Sequence, residues 1–168
     1  MNNSFYLAKY AKRLAAKVQA HNELDAMVNE WFPKIRSALE PWVGQKVSLI
    51  TGGKPYKLQK LIDSLNLPND FQKQILVSFD RYSAKVTFKN CVSIPDDSYQ
   101  SAETVVYLGD MQMQNGLVLG DLRYTFTPYK TDYTVEKVIL ARQQVEDAKK
   151  ALSDALSALH PFGEHDNN

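Results

Sequence analysis

Two stretches of helical spacing, one at each end of the chain, constrain this fold more than any other feature. From Ser4, a residue suited to a helix cap, apolar or aromatic residues recur at Leu7, Tyr10, Leu14, Val18, His21, Leu24, Val28, Trp31, Ile35, Ala38 and Trp42. Steps of three and four put all of them on one stripe of a helix. The pattern predicts one long amphipathic helix, or two collinear ones, over residues 1–42. Two places invite an interruption. Asn22 suits a second cap inside His21-Asn22-Glu23-Leu24-Asp25, and Pro33 disfavours helical backbone at Phe32. Pro41 and Gly44 then stop the helical pattern.

The far end mirrors the near one. After Thr134, another natural cap, Val138, Val145, Leu152 and Leu159 recur every seven residues, with Ala141, Ala148 and Ala155 between them. A row of alanines lets a partner helix approach closely, so the helix expected over 134–160 is read as packing along the N-terminal one. His160-Pro161-Phe162-Gly163 ends it, and residues 161–168 read as a flexible tail.

Between the helices, residues 45–130 change to alternating patterns with one short helical segment. Gln45 to Thr51 reads as a short strand, Pro55 to Leu65 as a short helix, and Ile75 to Asp80 and Ala84 to Ile94 as two further strands, although Ile75 to Phe79 reads equally as the end of a helix begun at Asp70. In the second of these, Val86, Phe88, Val92 and Ile94 share a side. Asn115-Gly116 is the preferred pair for a two-residue hairpin turn. It sets Met113 opposite Val118, Met111 opposite Gly120, Tyr107 opposite Tyr124 and Val105 opposite Phe126 as a core face, and Asp110 opposite Asp121 on the other. The expected fold class is therefore α+β, a mainly antiparallel β-sheet inserted between long N- and C-terminal helices that pack together. The 168 residues form a single domain on this reading.

Charge is unevenly spread. Residues 1–60 carry Lys9, Lys12, Arg13, Lys17, Lys34, Arg36, Lys46, Lys54, Lys57 and Lys60 against Glu23, Asp25, Glu30 and Glu40, whereas residues 96–132 reverse the sign. The net charge of +1 hides this asymmetry. Lys9, Lys12, Arg13 and Lys17 fall on one side of the first helix beside Tyr6 and Tyr10, the combination that attracts nucleic-acid backbones and bases. Lys54 and Lys57 lie at the start of the short helix after Gly52-Gly53, where a helix dipole repels cations unless an anion is near. That loop is no P-loop: Lys54 is followed by Pro55, so both the magnesium-binding hydroxyl and one amide are missing. Either it holds an anion, or it is a turn with solvated lysines. Asp110 facing Asp121 would destabilise a hairpin unless Arg123, a cation or a basic partner compensates, or a bulge at Gly120 breaks the register.

Catalytic and cofactor motifs are lacking. There is no nucleophile elbow, dinucleotide fingerprint or paired Cys-x-x-Cys, and Cys91 stands alone in a strand without a base placed beside it. His21 reads as a packed core histidine, and His160, His165, Glu164 and Asp166 as a loose metal-like cluster in the tail that is not taken as a metal site. No apolar run approaches the roughly 20 residues needed to span a bilayer, and the N-terminus lacks a charged leader with an apolar core, so the expected location is cytoplasmic. The function expected from all this is a non-enzymatic protein–protein interaction module: an inhibitor, adaptor or chaperone-like binder acting through its helix pair or a sheet edge. It needs no cofactor, metal or membrane on this reading, and a homo-oligomer is one of the assemblies expected. The alternative is a nucleic-acid or polyphosphate binder using the basic N-terminal third.

Overall fold

The computed structural model describes residues 3–95, 98–122, 128 and 134–159. The fold is α+β, with helices at both ends and a five-stranded antiparallel sheet between them. Its elements are α1 (Asn3–Leu39), a single 3-10 turn (Glu40–Trp42), β1 (Lys46–Ser48), α2 (Tyr56–Ser64), β2 (Lys73–Phe79), β3 (Ser83–Ser93), β4 (Tyr99–Met113), β5 (Leu117–Leu119) and α3 (Val135–Leu159). The sheet order is β1-β5-β4-β3-β2, so β1 and β2 form its edges. Residues 1–132 and 133–168 are two compact units, each described by itself below.

In the first unit α1 lies on β3 and β4. Leu24, Met27, Val28, Phe32, Ile35 and Leu39 form its buried stripe, and they meet Val47, Leu58, Val86, Phe88, Leu108 and Leu119 in one core. The interruption invited by Asn22 and Pro33 does not occur: α1 is one element with Pro33 inside it. Pro33 itself is exposed. The stripe needs one continuous helix to bring Leu24 and Leu39 onto the same sheet. Gly44, at φ 81, then turns the chain, and its N–H donates to Leu119 O at 2.7 Å.

The strands expected at Ile75 and Ala84 are present, and Val86 and Phe88 are buried with Asn90 beyond them on the same side. Asn90 is wholly buried; its side-chain amide donates to Ala20 O at 3.0 Å and to Glu23 Oε2 at 3.1 Å, tying β3 to the middle of α1. The β2–β3 turn is held by Asp80, whose carboxylate accepts the N–H groups of Tyr82 and Ser83, each at 2.8 Å. Lys85 Nζ lies 3.1 Å from the same carboxylate.

The hairpin register differs from expectation. Met113 pairs with Leu117, Gln112 with Val118 and Met111 with Leu119, so the turn takes in Gln114, Asn115 and Gly116 rather than two residues. Asn115 and Gly116 both adopt positive φ, 54° and 134°. A Cβ on Gly116 would lie 2.7 Å from Ser48 O, so β1 passes close to this turn and the position takes glycine. A second departure lies in β4, where Ala84 pairs with Gly109 but Lys85 with Tyr107, leaving Leu108 as an extra residue. The alternation flips there. Leu108 and Met111 are both buried, while Val105 and Tyr107, expected on the core face, are 40% and 51% exposed.

The second unit is α3 alone among the described residues. Thr134 caps it as expected, its Oγ1 accepting the N–H of Lys137 at 3.2 Å, and Glu136 in the first turn suits the helix dipole. No described residue of α3 is buried, and Val145, Leu152 and Leu159 of its seven-residue repeat are exposed. No helix among the described residues is long and apolar enough to cross a membrane.

Two outcomes check this account. Gly116→Ala combines a disfavoured φ with a clash against Ser48 O, so it should cost about 1–3 kcal/mol in urea unfolding; an unchanged midpoint would mean that β1 does not press on the turn. The Asp80 carboxyl is held down from 3.8 to about 2 by the N–H groups of Tyr82 and Ser83 and by Lys85. A depressed carboxyl stabilises the fold above its ordinary pKa and loses that contribution as pH falls through its folded one. The melting-temperature gap between the parent and Asp80→Asn should hold steady above pH 3.8 and close as pH falls through about 2.

Candidate binding groove at the edge of the sheet

The edge strand β2 alternates its backbone between two neighbours. Gln72 O accepts the N–H of Cys91 in β3, whereas Ile75 N–H points the other way, to Pro68 O at 2.9 Å. By the same alternation the N–H and C=O groups of Lys73, Ile75, Val77 and Phe79 face outward from the sheet. The chain itself covers the first part of this edge: Asp70 N–H donates to Lys73 O at 2.9 Å, and Asn69 bridges Gln74. From Ile75 O to Phe79 no backbone partner meets the edge among the described residues.

That uncovered stretch opens on a groove of about 560 Å³. One wall is β2, from Gln74 to Val77; the other is α2, through Gln59, Ile62 and Asp63, with Asn66, Leu67 and Asn69 of the following turn. Its position follows from the local sequence. Leu58 is buried and Leu61, Ile62, Leu65 and Leu67 are half-buried against the core, which anchors α2 beside the sheet. Asn66 takes a left-handed φ of 50° after the last turn of α2, and this releases the chain toward β2.

Lys54 stands in this groove. Its Nζ donates to Val77 O at 3.4 Å and sits 5.6 Å from the centre of the Phe79 ring. Burial pushes its pKa down, with Asp63 partly opposing the shift. Lys57, in the first turn of α2, is exposed, and that helix has no side-chain cap. Lys9, Lys12, Arg13 and Lys17 are all exposed on the first half of α1, a different element. The cations singled out in the basic N-terminal third thus fall into two sets, and Lys54 is the member that lines the groove.

Asp110 and Asp121 are brought near each other but not as a facing pair. The register puts Gly120 opposite Asp110, and Gly120 N–H donates to Asp110 O at 2.8 Å. Both carboxylates are exposed and line a cleft of about 190 Å³ with Val43, Gly44 and Gln112. Arg123, expected to compensate them, lies outside the described residues, as do His160, Glu164, His165 and Asp166. His21 is half-buried rather than a fully packed core histidine, and Cys91 is buried in β3 as expected. Among the described residues no group of three or more His, Cys, Asp or Glu is placed to hold a metal ion.

Lys54 was singled out from the sequence; the other groove residues were missed because which strand forms an edge is not a local property. Asn90 could have been found, being the one polar residue on the apolar side running from Val86 to Ile94.

Because burial disfavours its charge and its bond to Val77 is long, Lys54→Met should leave the melting temperature unchanged or slightly higher at neutral pH; a large loss would mean that Lys54 holds the edge in place. The chain matches no protein-family model, and neither the curated proteins nor the solved structures compared with it give a match.

Proposed function

We propose that this protein is a non-enzymatic binding module that takes an extended segment of a partner protein as an added strand between β2 and α2. The observation that carries the reading is the row of outward backbone groups from Ile75 to Phe79, opening on a groove whose far wall is a helix. An edge strand supplies main-chain hydrogen bonds at regular spacing, and the facing wall supplies pockets for alternate side chains; together they bind extended peptides with modest dependence on sequence. The groove volume of about 560 Å³ falls among those of ordinary ligand sites, about 300–1,000 Å³. Half-buried Ile62 and Leu67 give it apolar ground, while the carboxamides of Gln59, Asn66, Asn69 and Gln74 can meet a peptide backbone.

The test is selection from a random peptide library followed by backbone-amide NMR of the protein with an enriched peptide. Strand addition should slow hydrogen exchange at the Val77 amide, and N-methylating alternate peptide residues should abolish binding. Binding that leaves Val77 unprotected would remove this reading. Light scattering of the purified chain separates a second copy as occupant from a different protein.

A second reading rests on α1. Lys9, Lys12, Arg13 and Lys17 are all exposed on it, with Tyr10 exposed among them, which favours a nucleic-acid or polyphosphate backbone. Retention on heparin that falls steeply with salt and is lost when all four are changed to Ser would support it, and no retention at low salt would dismiss it.

A further inference from the structure

We infer that the segment received by the β2 groove carries a carboxylate, from an acidic side chain or a chain end, and that Lys54 is the residue that selects it. The inference rests on the strand-addition reading and gives the partner its chemistry.

Lys54 is an ammonium with unused capacity. It has three N–H donors, and the bond it makes, to Val77 O, is 3.4 Å long, beyond the 2.7–3.2 Å of well-formed bonds. No carboxylate lies within ion-pair distance of it among the described residues. Asp63 lines the same groove, but its Oδ1 already accepts the side-chain amide of Gln59 at 2.8 Å. Lys54 is also partly withdrawn from water, the setting in which an opposite charge gains most.

Strand addition would change what Lys54 does. An incoming strand brings its own N–H to the outward carbonyl of Val77, the acceptor that Lys54 now uses. The lysine stem is long and flexible, so the ammonium pivots rather than leaves, and it then faces the occupant. A carboxylate on the occupant meets it with a charge-assisted bond; an amide does not. Until then the same ammonium blocks unspecific pairing at the edge, as lysines on edge strands do. Asp63 sets the upper limit on charge: a groove holding one cation and one fixed carboxylate suits a single negative charge better than a run of acids or a phosphate dianion.

Three pools of random hexapeptides test this on the full chain: amidated peptides with Asp allowed, amidated peptides without acids, and acid-free peptides with a free C-terminus. Peptides recovered from the first or third pool should bind about tenfold or more tightly than their own Asn or amidated counterparts, the effect of one charge-assisted bond. Which pool yields them tells a side chain from a chain end. Lys54→Met should lose that preference, binding the carboxylate and amide forms of one peptide within about twofold of each other, and Lys54→Arg should retain it. If exchanging carboxylate for amide changes affinity by less than about twofold, roughly 0.4 kcal/mol, the inference is overturned while Val77 protection keeps the groove reading alive. If no pool binds, or if Val77 stays unprotected, the groove reading fails and the inference with it.

Discussion

The apolar stripe of α1 against β3 and β4 is the interaction on which the rest depends. Each large side chain in it, such as Phe32, Ile35 or Leu39, stabilises the fold by about 1.5–3 kcal/mol when fully buried. A proline inside a helix costs about 3 kcal/mol. Buried residues on both sides of Pro33 therefore outweigh it, and the helix stays whole. Without that continuous helix, Asn90 would lose Ala20 O and Glu23 as acceptors, and the sheet would have no second layer on its buried face.

A sheet covered by one long helix leaves its edges to be managed separately, and the two are managed differently. β1 has three residues, too few to template a long ladder, and its continuation folds back, Leu49 N–H donating to Gly53 O at 2.7 Å. β2 is longer and is covered in halves: backbone from Pro68 to Asp70 closes the first, and a side chain, Lys54, guards the second. Backbone cover is rigid and permanent. A lysine on a long bond is neither, and so the second half is the less firmly closed part of this edge.

Features that repeat locally were legible in the sequence. Much of the α1 stripe, the Thr134 cap and the alternation of β3 each rest on signals within one element and are found, although Tyr10 of the expected stripe is exposed and Met27, Phe32 and Leu39 are buried in addition. Asn115-Gly116 misled by one residue because Gln114 joins the turn, its N–H donating to Gly116 O at 2.9 Å, and Met113 then pairs with Leu117. Tyr107 and Val105 were assigned to the core on their residue type, and the extra residue at Leu108 turns them outward. The groove was illegible for a deeper reason. Lys54 reaches an open backbone carbonyl only because β2 ends up at an edge, and Val77, its acceptor, is 23 positions away in the chain.

The extra residue at Leu108 also bears on how this chain can change length over descent. On one side of it β4 buries Ala102; on the other it buries Met111, and the odd count between them reconciles the two. Loss or gain of one residue anywhere from Ala102 to Met111 would invert one half and present its apolar set to water. The stretch from Leu65 to Gln72 carries no such parity, since it joins a helix to a strand and is held by backbone bonds at Pro68 and Asp70. A change of length beside the groove inverts no buried face, whereas the strand at the centre of the sheet needs a fixed count.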